Sequence, residues 1–143
     1  MSSSANDCRV LVVDYDAFIR KAMVSIFSRF GYPVANAGGS AAAFDLVCQT
    51  HYDLVMSDFD MPVLDGYQLA CCIKQEDPGT KVVVMTGNRK HQVALYMDRC
   101  EVDEWLFKPF GLQAISNVMT KLGLPNTFEA RLSKNPTIFG ETP

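Results

Sequence analysis

Short apolar runs, each ending at a polar or turn-forming residue, recur five times along the chain: Cys8–Val13, Val34–Ala37, Tyr52–Ser57, Lys81–Met85 and Val102–Phe107. Such runs are too short for helices and carry the large apolar side chains of buried strands. The segments between them read as helices. Phe18, Ile19, Ala22, Met23, Ile26, Phe27 and Phe30 recur at helical spacing over about residues 16–30, and Gly31 and Pro33 end the segment. Ser40 is a candidate N-cap for a helix over 41–49, with Ala42, Leu46 and Cys48 turned inward. Further helices are expected over 67–75, over 91–100, and around Leu112, Ile115, Met119 and Leu122, stopped by Gly123 and Pro125. Strand–helix alternation of this kind predicts a parallel sheet covered on both faces. Right-handed crossovers leave few topologies, and a doubly wound five-stranded sheet with five helices, in flavodoxin-like order, is expected.

At 143 residues one domain is the expectation, and a 48% hydrophobic content suits a packed core. The net charge is −3, and no Lys/Arg run is present, which argues against direct nucleic-acid binding. No apolar stretch reaches membrane-spanning length. The cysteines number 5. Their odd number and spacing fit no zinc pattern, so they are expected to be reduced and mostly buried in a cytoplasmic protein. His51 and His91 belong to no cluster and are read as loop or surface residues.

The chemistry lies where the runs stop. In an open α/β sheet, ligands bind beyond the carboxyl ends of the strands. The first strand ends at Asp14, the third at Asp58 with Asp60 beyond it, the fourth at Thr86 and the fifth at Lys108. Met61-Pro62 then prevents the third ladder from continuing, and Asp65-Gly66 turns the chain into the next helix. Two carboxylates suit a hard cation, most naturally Mg²⁺. A hydroxyl and an ammonium suit a phosphoryl group. A carboxylate can itself attack phosphorus and form an acyl phosphate. The four rim positions together imply metal-assisted phosphorylation of an aspartate.

The segments VLVVD, DLVMSDFDMPVLDG, VVVMTGN and WLFKPF, in that order, resemble the response regulator receiver domain of two-component signalling. The resemblance covers roughly residues 8–123. It implies that Asp58 is the phospho-acceptor, that Asp14 and Asp58 hold Mg²⁺ with the backbone carbonyl of Asp60, and that Thr86 and Lys108 bind the phosphoryl oxygens. It implies a switch made of Thr86 and Trp105, read out on the face of the fourth predicted helix, fifth strand and fifth helix. The implied partners are a sensor histidine kinase or histidine phosphotransfer protein and a downstream protein target, with a homodimer through the output face as a further expectation. Nucleic acid and membrane are not expected partners. The family is a phospho-accepting switch that assists its own transfer and hydrolysis rather than a turnover enzyme.

The sequence departs from the pattern at Tyr15, where the family usually carries a second acidic residue that ligates the metal. Asp16 and the side chain of Asp60 are candidate substitutes. Residues 124–143 are too few for an output domain and read as a tail or linker that adds little to the core, with Phe128, Leu132, Ile138 and Phe139 as the side chains able to dock if it does not stay mobile. Trp105, larger than the usual phenylalanine or tyrosine, is expected to stand partly exposed before phosphorylation. Two other readings compete: a pseudo-receiver binding module left unphosphorylated because of Tyr15, and a haloacid dehalogenase-type phosphatase suggested by Asp58-Phe59-Asp60.

Overall fold

A computed structural model describes residues 4–87 and 94–134. Its strands are β1 (Val10–Val13), β2 (Val34–Ala37), β3 (Leu54–Asp58), β4 (Lys81–Thr86) and β5 (Glu104–Phe107). Its α-helices are α1 (Ala17–Arg29), α2 (Ser40–Gln49), α3 (Gly66–Glu76), α4 (Leu112–Lys121) and α5 (Phe128–Lys134), preceded by a 3-10 turn at Ala5–Asp7. All five strands are parallel, in the order β2-β1-β3-β4-β5. This is the doubly wound, flavodoxin-like order expected from the alternation.

The period of two along each strand divides the core. Val10, Val12, Leu54, Met56, Val83 and Met85 point to the side covered by α1 and α4, where Phe27, Ile115 and Met119 meet them. Leu11, Val13, Val55, Val82 and Val84 point to the other side, against Ala43 and Val47 of α2 and Leu69 and Ile73 of α3. With both faces covered, β1 and β3 are buried at every position and β4 at all but Lys81, which is why they read as apolar runs.

Local chemistry sets the helix starts. Asp16 caps α1, its Oδ1 accepting from the N–H of Phe18 at 2.9 Å and of Ile19 at 3.4 Å. Asp65 opens α3 through a capping box with Gln68. Gly66 could be no other residue: a Cβ there would lie 2.6 Å from the carbonyl oxygen of Asp58 and 2.9 Å from Cα of Phe59.

Several expectations are corrected. Ser40 is the first residue of α2 rather than its cap, a place taken by Gly39, and the buried residues are Ser40, Ala43 and Val47, with Ala42 and Cys48 exposed. Of the cysteines only Cys8 is buried. In the predicted helix over 91–100, residues 91–93 and with them His91 lie outside the described residues, and 94–98 form turns.

The largest correction concerns the segment after Gly123. Phe128 is 0% exposed and Leu132 5%, while Ile138 and Phe139 lie outside the described residues. The Phe128 ring sits among Phe27, Phe30 and Tyr32, at centroid distances of 5.7, 4.3 and 5.6 Å. Tyr32 donates its hydroxyl hydrogen to the carbonyl of Pro125 and accepts from the N–H of Thr127, and the Thr127 hydroxyl donates to the carbonyl of Phe30. Asn126 bridges from Ser116 and Thr120 on α4 to the N–H of Phe128. A sequence-local reading gives Phe128 no partner, because its socket is built about a hundred residues earlier in the chain.

Candidate functional site

Parallel pairing puts the carboxyl ends of β1, β3, β4 and β5 on one rim. Val13 lies opposite Ser57, Asp58 opposite Met85, and Thr86 opposite Phe107. Asp14, Asp58, Thr86 and Lys108 therefore converge from four strands. Asp14 and Thr86 are 0% exposed and Asp58 8%. Lys108 Nζ stands 3.2 Å from Asp58 Oδ1 and 3.5 Å from Asp14 Oδ2. One ammonium thus serves two buried carboxylates, and the pair keeps a net negative charge.

Burial pushes the Asp58 carboxyl above its ordinary range, the Lys108 ammonium pulls it back, and the neighbouring Asp14 and Asp60 carboxylates add to the rise. The backbone of the acceptor strand is held tightly: the N–H of Phe59 donates to the carbonyl of Met85 at 2.7 Å, and the N–H of Lys108 to that of Thr86 at 2.7 Å. Thr86 Oγ1 is buried without a hydrogen-bond partner among the described residues. A buried hydroxyl left unpaired is costly and calls for an explanation; a ligand oxygen arriving at this rim supplies one.

The outer candidates separate. Tyr15 is 64% exposed and turns its ring to solvent. The Asp16 carboxylate is engaged as the α1 cap, while its N–H donates to Asp14 Oδ1 at 2.9 Å. Asp60 lies exposed on the β3–α3 loop. Among the described residues no three His, Cys, Asp or Glu side chains converge as a metal group. Two facing carboxylates, incompletely neutralised, nonetheless match the donor set of Mg²⁺, which is commonly held through one or two carboxylates, phosphate oxygens and retained waters.

Trp105 corrects the expectation of partial exposure: it is 9% exposed, packed 6.0 Å from the ring of Phe59. Bulk did not exclude the indole because the core on this face of the sheet takes it in, with Phe59 against it and Tyr96 in turn against Phe59. Sequence reasoning also missed Arg20, whose Nη1 donates to the carbonyl of Asp14 at 2.7 Å. The available signal was its place one helical turn after Asp16.

Rim and topology together define a class: a doubly wound α/β protein presenting a buried, lysine-paired aspartate at the carboxyl edge of its central strand. The family model for the response regulator receiver domain matches residues 10–120, and the chain belongs to that family. It is 31% identical over 121 residues to the sensor histidine kinase RcsC of Escherichia coli K12, covering 82% of this chain and 12% of that protein. It is 26% identical to the regulatory protein AtoC of the same organism, covering 79% of this chain and 24% of that one. The chain thus spans a quarter or less of these longer relatives. The receiver protein CpdR of Brucella abortus is similar over nearly its whole length, with 27% identity, 80% of this chain and 95% of that one. Among solved structures, the response regulator TrrA of Thermotoga maritima, in complex with Mg²⁺-BeF, aligns with TM-score 0.72 and 26% identity, over 80% of this chain and 98% of that one. A CheY-like receiver of Methanospirillum hungatei shares the fold at TM-score 0.75 and 22% identity, covering 87% of this chain and 98% of that chain.

Proposed function

We propose that this receiver is a phosphorylation-dependent signalling switch in which Asp58 accepts a phosphoryl group from a phosphohistidine on a sensor kinase or phosphotransfer protein. The observation that carries the reading is the Lys108 ammonium standing between Asp58 and Asp14 on a buried rim. A carboxylate oxygen of Asp58 attacks phosphorus, an O–P bond forms, the P–N bond to the donor imidazole breaks, and the product is an acyl phosphate. Lys108 offsets the incoming charge, about −1.5 to −2 at neutral pH. Thr86 Oγ1, buried without a partner, donates to a phosphoryl oxygen. Asp14, Asp58 and the carbonyl of Asp60 are the residues that would hold Mg²⁺, which when bound neutralises phosphoryl oxygens.

Movement of Thr86 toward the phosphoryl group changes the space beside Trp105. The 94–101 segment, β5 and α4 form the surface read by a downstream protein or by a second copy of the chain. Residues 8–123 constitute the acceptor unit and 124–143 a C-terminal extension, in a cytoplasmic protein without a nucleic-acid or membrane partner of its own. The unphosphorylated-module reading has one observation behind it, the solvent-facing Tyr15 where the family usually places a ligand. The phosphatase reading is dropped with the family match.

Intact-mass analysis after acetyl phosphate and Mg²⁺ tests the proposal. The wild type should gain one phosphoryl group and Asp58→Asn none. A wild type that gains nothing under conditions that label another receiver would establish the binding-module reading instead.

A further inference from the structure

Trp105 is held in a costly position. Its indole is buried, yet Nε1 has no hydrogen-bond partner among the described residues. With the ring turned to solvent the same N–H would find water, so the buried position survives only through contacts that outweigh the missing bond.

Phe59 supplies one of those contacts, and Tyr96 in turn packs on Phe59. Phe59 directly follows the acceptor, and its backbone is tied on both sides, N–H to Met85 and carbonyl to the N–H of Gly66. Its ring meets Trp105 at 6.0 Å and Tyr96 at 6.3 Å. Tyr96 belongs to the turn after β4 and, among the described residues, has no such backbone tie to the sheet. It stays in place by stacking on Tyr67 of α3, at 4.4 Å and 16° between planes. Arg99 covers the other ring at 5.9 Å, and the Tyr67 hydroxyl donates to Glu101 at 3.2 Å, closing the turn onto α3. Phe59 is thus fixed by its backbone bonds, whereas the Tyr96 behind it depends on a stack of two rings.

We propose that Tyr96, as a positioning residue acting through Phe59, holds Trp105 inward before phosphorylation, so that the switch of this chain rests in its buried arrangement. The inference rests on the signalling reading for its consequence but not for its test. Val84 pairs with Trp105 across β4 and β5, and Thr86 lies on the same face of β4, one pleat further toward the rim. A Thr86 drawn toward Asp58 therefore makes room next to an indole that is already buried. Phosphorylation then tightens an existing arrangement instead of creating it, and the surface of 94–101 with its exposed Leu95 and Met97 is presented in the resting protein too.

Fluorescence of Trp105, the single tryptophan, tests this without any phosphoryl donor. The resting wild type should emit in the blue and resist quenching by acrylamide. Tyr96→Ala should shift emission to the red and raise the quenching constant several-fold, whereas Tyr96→Phe, which keeps the ring and loses only the hydroxyl, should match the wild type. Adding Mg²⁺ with beryllofluoride should move the wild-type spectrum little and the Tyr96→Ala spectrum markedly toward the blue. A resting wild type whose tryptophan is freely quenched overturns the proposal, as does a folded Tyr96→Ala that quenches like the wild type. Should Tyr96→Ala fail to fold, Tyr96→Leu, closer in volume, takes its place, and the wild-type quenching alone still decides whether Trp105 rests inward. If Asp58 proves not to be phosphorylated, the signalling reading falls while the resting-state comparison keeps its meaning.

Discussion

Replacing Phe128 by alanine is expected to destabilise the whole domain, although the residue stands beyond the region matched by the family model. The ring is fully buried and touches three other aromatic rings. Deleting a buried phenylalanine side chain costs about 3–5 kcal/mol, the larger values where the surroundings cannot collapse into the void. Here Phe27 and Tyr32 are themselves anchored, by α1 and by the Tyr32–Pro125 and Thr127–Tyr32 hydrogen bonds, so collapse is restricted. Helix α5 has 7 residues, far below the ~12–15 that give even marginal helicity in isolation. Without its anchor it should leave the surface and take Leu132 with it. A loss of about 4 kcal/mol is a large share of the roughly 5–15 kcal/mol typical of a domain. At this chain length it corresponds to a fall of roughly 10–15 °C in melting temperature. Calorimetry or thermal circular dichroism reads this directly, with Phe128→Leu as a control expected to lose less than half as much. Truncation after Leu124 should cost at least as much as Phe128→Ala. A truncated protein that melts with the wild type would refute the reasoning, since it would mean that the socket closes without its occupant.

Restoring a carboxylate by Tyr15→Asp should tighten Mg²⁺ binding in calorimetric titration, because the rim gains a hard anionic oxygen beside Asp14; unchanged affinity would show that position 15 does not reach the ion. Asp16→Asn should preserve the α1 cap and the melting temperature, whereas Asp16→Ala should cost about 1 kcal/mol; a marked drop in Mg²⁺ affinity for Asp16→Asn would assign the carboxylate to the metal after all. At the opposite end of the sheet, His51 places Nδ1 2.5 Å from Asp77 and Nε2 3.2 Å from Asp53, an arrangement that needs both ring nitrogens protonated. The hydrogen bond to Asp77 raises the imidazole above its ordinary value and lowers the Asp77 carboxyl below its own. The His51 contribution should be complete below about pH 6.5 and fade as pH rises through the elevated value, while that of Asp77 is lost only in acid. The melting temperatures of wild type and His51→Asn should therefore differ near pH 6 and converge toward pH 9; a constant offset across that range would remove the pair from the account.

Strands and rim were legible because contiguous apolar residues bounded by Asp14, Asp58, Thr86 and Lys108 need only local information. The rotation of α2 was not, since Ala41, Ala42 and Ala43 offer the same small side chain on every side, and packing against β1 and β2 chooses between them. The seat of Phe128 and the burial of Trp105 depend on surroundings assembled from distant segments, Phe27 to Tyr32 in one case and Phe59 with Val84 in the other. The use of Asp16 as the cap of α1 was not foreseen either, because the same carboxylate suits a metal or a helix end, and the cap depends on the direction in which the chain enters α1.

The contact of Gly66 with the backbone of Asp58 and Phe59 has a consequence for how this protein can diversify. The N–H of Gly66 returns to the carbonyl of Phe59 at 2.9 Å, so residues 59–66 form a loop whose two ends are fastened to each other. What happens at the tip is then insulated from the acceptor. Val63 stands there 91% exposed with φ of +73°, a backbone region that β-branched residues rarely adopt. Glycine or asparagine would sit there more comfortably. The tip is therefore an interchangeable part: a designer, or natural drift, can rewrite its side chains at constant loop length and retune which surfaces this receiver meets, while the ends of the loop keep Asp58 in place.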